Sequence, residues 1–233
     1  AYLKQIGSYI YSYDFAKARL SPKNATGGTD LYSQNFSWGT SLVSLPGRAG
    51  MDAGFGISYN SLVWAKSGSE IHFDSDVSNV SPGFRMGFPT IEPAYLDDKT
   101  GNFAYLMVTP SGGRIEFRQV GATNVYETAD SSYVQLKTPV GSNPNAPVEN
   151  LTLTVTGTDG SQMSYVWKGG AFRCSQIKDR NGNYITVVHD DHGKLTSMTD
   201  TLGRQVTVEY DGYLQPSGVK QMWGGGTNGS GSL

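Results

Sequence analysis

Apolar and polar positions alternate with a period of two along most of the chain. Each alternating run is short and stops at Gly, Asn, Asp or Pro. In IGSYIYSYDFAKARL, Tyr9, Tyr11, Tyr13 and Phe15 share one face of an extended strand, while Ile10, Ser12 and Asp14 share the other. Helical spacing would scatter these aromatics, so the alternation predicts a strand. SPKNATGGTD (21–30) then predicts a flexible loop, since it combines Pro, two glycines and short polar residues. Between 31 and 140 the runs FSWGTSLVSL, AGFGISYNSLVWAK, EIHFDSD, FAYLMVT, GRIEFRQV, NVYETA and SYVQLK predict short strands separated by turns. Strands at this spacing point to a sandwich or a barrel-like sheet.

The pattern becomes periodic near the end. Asp179, Gly182, Ile185, Thr186, Val187 and Asp190 recur as Asp200, Gly203, Val206, Thr207, Val208 and Asp211, a constant offset of 21 residues. His189 falls on Tyr210. A fixed period of this kind marks stacked supersecondary units. Thr, Val, Ile and Tyr suit a pleated, half-buried surface, and Asp, Asn and Gly supply the turns. Each copy therefore predicts a β-hairpin that must stack on its neighbour to bury an apolar face. Upstream, the TDG and KGG turns within 151–179 look like degenerate earlier members of the series. The predicted fold is all-β: an antiparallel sandwich or open sheet continued by hairpin repeats. Four parts are expected: an N-terminal strand arm and loop (1–30), a sandwich-like region (31–140), hairpin repeats (141–223) and a flexible Gly-rich tail (224–233). KTPVGSNPNAPVEN (137–150) is the expected boundary or long surface loop.

The repeat, DxxGN…T…HD…GKLTS…TDxxGR…T…YD, resembles the RHS/YD-repeat family. Ser41–Trp64, with PGR-G ahead of a strand ending in Tyr59-Asn60-Ser61, is similar to the region that precedes the repeats in that family. SPGFRMGF (81–88) resembles the Gly-aromatic element that follows it. The resemblance covers roughly Phe36 to Val219 and implies a spiralling β-sheet shell, which in toxin members encloses a C-terminal effector. The chain carries two clear copies of the repeat, too few to wind a closed shell, and its first copy has His189 where Tyr is usual.

Composition narrows the function. Charged residues make up only 16%, the formal net charge is −2, and Lys and Arg are scattered. Nothing in that balance favours nucleic acid or an acidic membrane as partner. Abundant Gly, Ser, Thr, Asn and Tyr fit an all-β extracellular or cell-surface protein, and the chain is expected to be a mature, secreted product. No apolar run approaches the roughly 20 residues of a spanning helix. Cys174, the single cysteine, excludes an intramolecular disulfide and reads as a small buried side chain in a strand.

Candidate chemistry is sparse. His189, Asp190, Asp191 and His192 form the one cluster with metal-ligating residue types, but Asp190 also holds the repeat's own turn position and too few ligands lie nearby in sequence. Asp97, Asp98 and Asn102 lack the cadence of a calcium loop. No nucleophile elbow, phosphate loop or zinc-hydrolase motif occurs. Catalytic residues, metal and cofactor are therefore all expected to be none. Trp38, Trp64, Trp167 and Trp223 could supply a carbohydrate-stacking platform or simply core. Asn24, Asn35 and Asn150 match glycosylation acceptors. In LPGRAG, Pro46 sets φ, Gly47 and Gly50 permit tight turns, and Arg48 is expected to bind backbone carbonyls or a carboxylate.

These features lead to one main expectation: a non-enzymatic structural or interaction protein that self-assembles, with the aromatic arm adding as a strand to another copy. Two alternatives stand beside it. One is the N-terminal piece of a large RHS-type shell protein; the other is an adhesin module that binds surface glycans.

Overall fold

The computed structural model describes residues 27–29, 35–61, 64–67, 70–73, 80–81, 83–92, 95–96, 103–130, 132–139, 148–213 and 215–222. The strand expected at Tyr9, Tyr11, Tyr13 and Phe15 lies outside them, as do Asn24, Asp97, Asp98, Asn102, Trp223 and the Gly-rich tail. The protein is all-β. Every strand pairing among the described residues is antiparallel, and helix is confined to two 3-10 turns, Arg48–Gly50 and Val148–Asn150.

First come β1 (Gly27–Thr29), β2 (Phe36–Leu45) and β3 (Ala53–Asn60). A separate hairpin of β4 (Trp64–Ser67) and β5 (Glu70–Phe73) follows, and β6 (Phe84–Met86) then completes a four-stranded sheet in the order β1-β2-β3-β6. The run expected as one strand over 53–66 is thus two strands in two sheets, β3 and β4.

Next come β7 (Thr90–Ile91), β8 (Tyr95–Leu96), β9 (Phe103–Val108), β10 (Arg114–Gln119), β11 (Val125–Thr128) and β12 (Gln135–Lys137). Beyond Val148–Asn150 lie β13 (Thr152–Thr156), β14 (Gln162–Lys168) and β15 (Ala171–Lys178). Strands β7 and β9 to β15 close into an eight-stranded barrel, because β15 pairs with both β14 and β7. Strand β8 pairs with β9 off this ring. A barrel of this size has an interior that side chains fill. Here the filling is aromatic: Tyr105 lies 4.9 Å from Tyr126 and 6.3 Å from Phe172, with Phe117, Tyr165, Leu136 and Leu153 fully buried around them. Each such side chain contributes roughly 1.5–3 kcal/mol by burial. Strands β12 and β13 are adjacent in the barrel, so the sheet runs directly across the boundary expected at 140/141.

Strand β15 belongs to two structures. Phe172 and Arg173 pair with β7, whereas Gln176 to Lys178 pair with β16 (Tyr184–His189). From there β17 (Leu195–Thr199), β18 (Gln205–Tyr210) and β19 (Pro216–Met222) follow as successive neighbours. One face of this repeat sheet is apolar. Ile185, Val187, Leu195, Met198, Val206 and Val208 pack with Leu45, Ala53 and Phe55 of β2 and β3, forming a second core between the two sheets. The period-two alternation read from the sequence is the cause: each strand places Val, Ile, Leu or Met inward and Thr, Ser or Gln outward.

Candidate functional site

The hairpin turns of the repeat sheet share one construction. Asp179, Asp190, Asp200 and Asp211 stand at steps of 11, 10 and 11 residues. In each, Oδ1 accepts the backbone N–H groups of the second and fourth residues onward: Asn181 and Asn183, His192 and Lys194, Leu202 and Arg204, Tyr213 and Gln215. The carboxylate thereby replaces a missing ladder partner, which is why Asp is required there. Gly182, Gly193 and Gly203 occupy the fourth position of the first three turns, each with positive φ. The 21-residue sequence period is therefore two turns of one device. The TDG turn keeps the backbone bonds, with Gly157 in the Asp position and Asp159 accepting from Ser161. The KGG turn differs: Gly169 and Gly170 form a two-residue hairpin, both at positive φ.

Asp200 is the buried member of the series, at 5% exposure. Its Oδ2 accepts from Arg204 Nε at 2.7 Å, and Arg204 Nη2 donates to the Pro46 carbonyl at 2.6 Å. The LPGRAG loop is thus clamped to the repeat sheet by an arginine 158 residues away. The carbonyl-binding role expected of Arg48 falls to Arg204. Arg48 is exposed on the 3-10 turn, whose last turn it occupies as the basic residue. Gly47 is required where predicted, since a Cβ there would lie 1.7 Å from the Met51 carbonyl oxygen. Tyr59 and Asn60 lie at the end of β3: the Tyr59 ring sits 4.8 Å from Phe84, and Asn60 Nδ2 donates to the Ser111 carbonyl at 3.3 Å. Ser58 beside them donates to the Pro110 carbonyl. These bonds tie the four-stranded sheet to the β9–β10 turn of the barrel.

The far edge of the repeat sheet is β19. It pairs with β18 from Gln205↔Met222 to Tyr210↔Pro216 and has no second neighbour among the described residues. The barrel has closed its edges; among the described residues, this sheet has not. An open edge presents a row of backbone donors and acceptors to any strand that can reach it.

A half-open cavity of about 30 Å³ lies where the four-stranded sheet, the barrel and the repeat sheet meet. Its lining includes Arg85, Thr90, Thr109, Arg173, His189 and Tyr210. Arg173 is 3% exposed and donates from Nε to the Lys168 carbonyl at 3.3 Å. Burial, with Arg85 close by, draws its guanidinium down to about 10, and Asp190 opposes the shift. Burial also holds His189 down to about 4, with Arg173 acting in the same direction and Asp190 against it. His189 is therefore neutral at neutral pH. Tyr210, its counterpart in the second copy, donates from its hydroxyl to the Leu195 carbonyl at 2.8 Å, and the Lys194 ammonium lies 5.0 Å from the centre of its ring.

The remaining candidates separate. His189 faces the cavity, whereas His192 is 77% exposed with Nδ1 at 4.0 Å from Asp190 Oδ2. Among the described residues, no three His, Cys, Asp or Glu side chains come close enough together to hold a metal ion. Cys174 is buried in the barrel, where desolvation pushes its thiol up to about 12. Trp167 packs on Phe172 at 5.2 Å, while Trp38 is exposed beside Phe36. Asn35 is 2% exposed and accepts from the Ser61 hydroxyl, whereas Asn150 is on the surface. Among the described residues, no helix is long and apolar enough to cross a membrane. The sequence reading missed Arg85, Arg173 and Arg204. Arg173 did carry a signal, as a charge inside the apolar run AFRC, where an arginine is rarely buried without a specific role.

No protein-family model matches the chain, and no curated protein matches it.

Proposed function

We propose that the protein is a non-enzymatic structural and interaction protein of the cell exterior that works by having its repeat sheet continued at β19. The continuing strand is the aromatic arm at Tyr9, Tyr11, Tyr13 and Phe15 of another copy, so that copies join head to tail. One observation carries this reading: the sheet ends in β19 with its outer edge unpaired among the described residues. Strand addition supplies affinity through backbone hydrogen bonds and specificity through alternate side chains. A head-to-tail contact that does not close by symmetry gives a filament. The test is native mass by light scattering across micromolar concentrations, on the full chain and on a variant lacking 1–20. Mass that grows with concentration, and falls to that of a monomer in the truncated variant, is the expected result. A monomer at all concentrations, or assembly that survives the truncation, overturns it.

A second reading rests on the regular step of the Asp turns. The device at Asp179, Asp190 and Asp200 recurs at Asp211 and leads straight into β19. Further hairpins of the same kind would extend the sheet into an RHS-type shell, with this chain as its starting portion. On that reading, fusing two more copies of residues 179–211 after β19 protects β19 amides from hydrogen exchange and leaves the chain monomeric.

A further inference from the structure

We propose that Gln221 selects the strand that continues the repeat sheet: its side-chain amide, on the core side of β19, donates to a tyrosine hydroxyl of the aromatic arm of another copy. The inference rests on the reading that this arm continues the sheet at β19, and adds the contact by which β19 recognises it.

Direct cross-strand partners share one face of a sheet. Val187 pairs with Met198, Met198 with Val206, and Val206 with Gln221, so these residues stand in one row across β16 to β19. Val187, Met198 and Val206 all belong to the second core. Val219, on the same face of β19 opposite Val208, also packs against that core. The row thus runs apolar from β16 to β18 and ends in a carboxamide.

Gln221 Nε2 is buried, and nothing among the described residues accepts a hydrogen bond from it. A buried donor without an acceptor is costly, and native structures rarely keep one without a reason. A polar side chain on the core side of an edge strand can also guard against chance pairing. A guard works by keeping its polar head in water, whereas this nitrogen is out of water's reach. On its closed side Gln221 has Val206, and along β19 on the same face Val219, and neither side chain can accept. That leaves the open side of β19, where no further strand pairs among the described residues.

Geometry selects the acceptor. Backbone carbonyls of an added strand lie in the plane of the sheet, while the Gln221 side chain stands out of it. The acceptor is then a side-chain atom on the core-side face of the added strand. In the arm, the face that can continue an apolar row carries Tyr9, Tyr11, Tyr13 and Phe15, and Ser12 and Asp14 fall on the other. The tyrosines carry a hydroxyl that can accept. Aromatic and long side chains meet both directly across a strand pair and diagonally, so the tyrosine that serves is set by register. A strand with apolar residues alone would leave Nε2 unpaired, which is how a buried donor discriminates between partners.

The full chain is compared with Gln221→Met, which keeps the length of the side chain and removes the donor, by light scattering over a concentration series. The concentration at half-assembly should rise about tenfold. Diluted until both are monomers, Gln221→Met should unfold in urea at the parent's midpoint or above it, because the monomer loses no bond. A triple variant, Tyr9→Phe, Tyr11→Phe and Tyr13→Phe, lies outside β1 to β19 and removes hydroxyls while keeping the rings. It should weaken assembly by about as much, and combining it with Gln221→Met should add nothing further. Three outcomes overturn the inference while leaving arm-dependent assembly in place: Gln221→Met assembling at the parent's concentration or below, a lower urea midpoint for its monomer, or additive losses in the combined variant. A parent that stays monomeric, or that assembles without residues 1–20, removes the reading beneath it and the inference as well.

Discussion

His189 stands where the second copy of the repeat has Tyr210, and that one exchange makes stability depend on pH. Its ordinary value of 6.5 falls to about 4 in the folded chain. Above 6.5 the imidazole is neutral in both states and the dependence vanishes. Below 6.5 the unfolded chain takes up a proton that the folded chain refuses, so stability falls as the pH drops toward about 4 and then levels off. This group alone sets a slope of at most about 1.4 kcal/mol per pH unit. Asp130, Asp159, Asp179 and Asp191 are held below their usual 3.8, so their contribution is lost only in more acidic solution. Urea denaturation at pH 7, 5.5 and 4.5 should show the decline, and His189→Tyr should flatten it. Two arginines at the LPGRAG loop make a clear contrast. Arg204→Ala leaves the buried Asp200 carboxylate without its charged partner, with only backbone donors on Oδ1, and the Pro46 carbonyl without its guanidinium donor, at a cost of about 3 kcal/mol. Arg48→Ala, at an exposed position, should leave the melting temperature within about 1 °C of the parent.

Turns that look alike in sequence are not equivalent in the folded hairpins. Gly182, Gly203 and Gly169 all adopt positive φ, which costs a side-chain-bearing residue about 1–2 kcal/mol. At Gly182 and Gly203 a Cβ would meet nothing within 4 Å. At Gly169 it would lie 2.1 Å from the His192 carbonyl oxygen, because the KGG turn is stacked against the Asp190 turn. Gly182→Ala should therefore cost only the backbone term. Gly169→Ala should cost at least about 2 kcal/mol more, since backbone must move in one of two packed turns. Paired denaturation curves decide this, and equal losses would mean that the two turns separate freely.

In the whole molecule, two cores are joined by one shared strand. The barrel core around Tyr105, Phe117 and Phe172 is closed on itself. The second core exists only where the four-stranded sheet covers the repeat sheet, and the Arg204–Pro46 bond ties the same two sheets together. These sheets should lose their structure together. Phe55→Ala, at a site 6% exposed, removes about 3–5 kcal/mol of packing from the second core alone. Hydrogen exchange should then accelerate across β3 and β16 to β18 while β10 to β13 keep their protection. A uniform acceleration over the barrel would show instead that the cores form one cooperative unit.

The strands and turns were legible from the residues alone because their causes are local. Alternation assigned Val187, Val206 and Val208 to a buried face, and Asp179, Asp190, Asp200 and Asp211 were marked as turn residues by spacing, which their bonds to backbone two and four residues onward explain. Alternation says which face is buried, but it is silent about which strand lies alongside which. Closure of the barrel rests on Arg173↔Thr90 and Phe172↔Ile91, pairings across about eighty residues that no short pattern encodes. The same holds near the boundary expected at 140: β12 and β13 pair in one barrel although a Pro- and Asn-rich segment separates them in the sequence. Arg204 had to wait for the fold to bring Pro46 beside it, and Arg85, Arg173 and His189 became one cavity only when three sheets met. Local composition determines backbone conformation and side-chain direction; convergence of distant side chains depends on strand order, which packing selects.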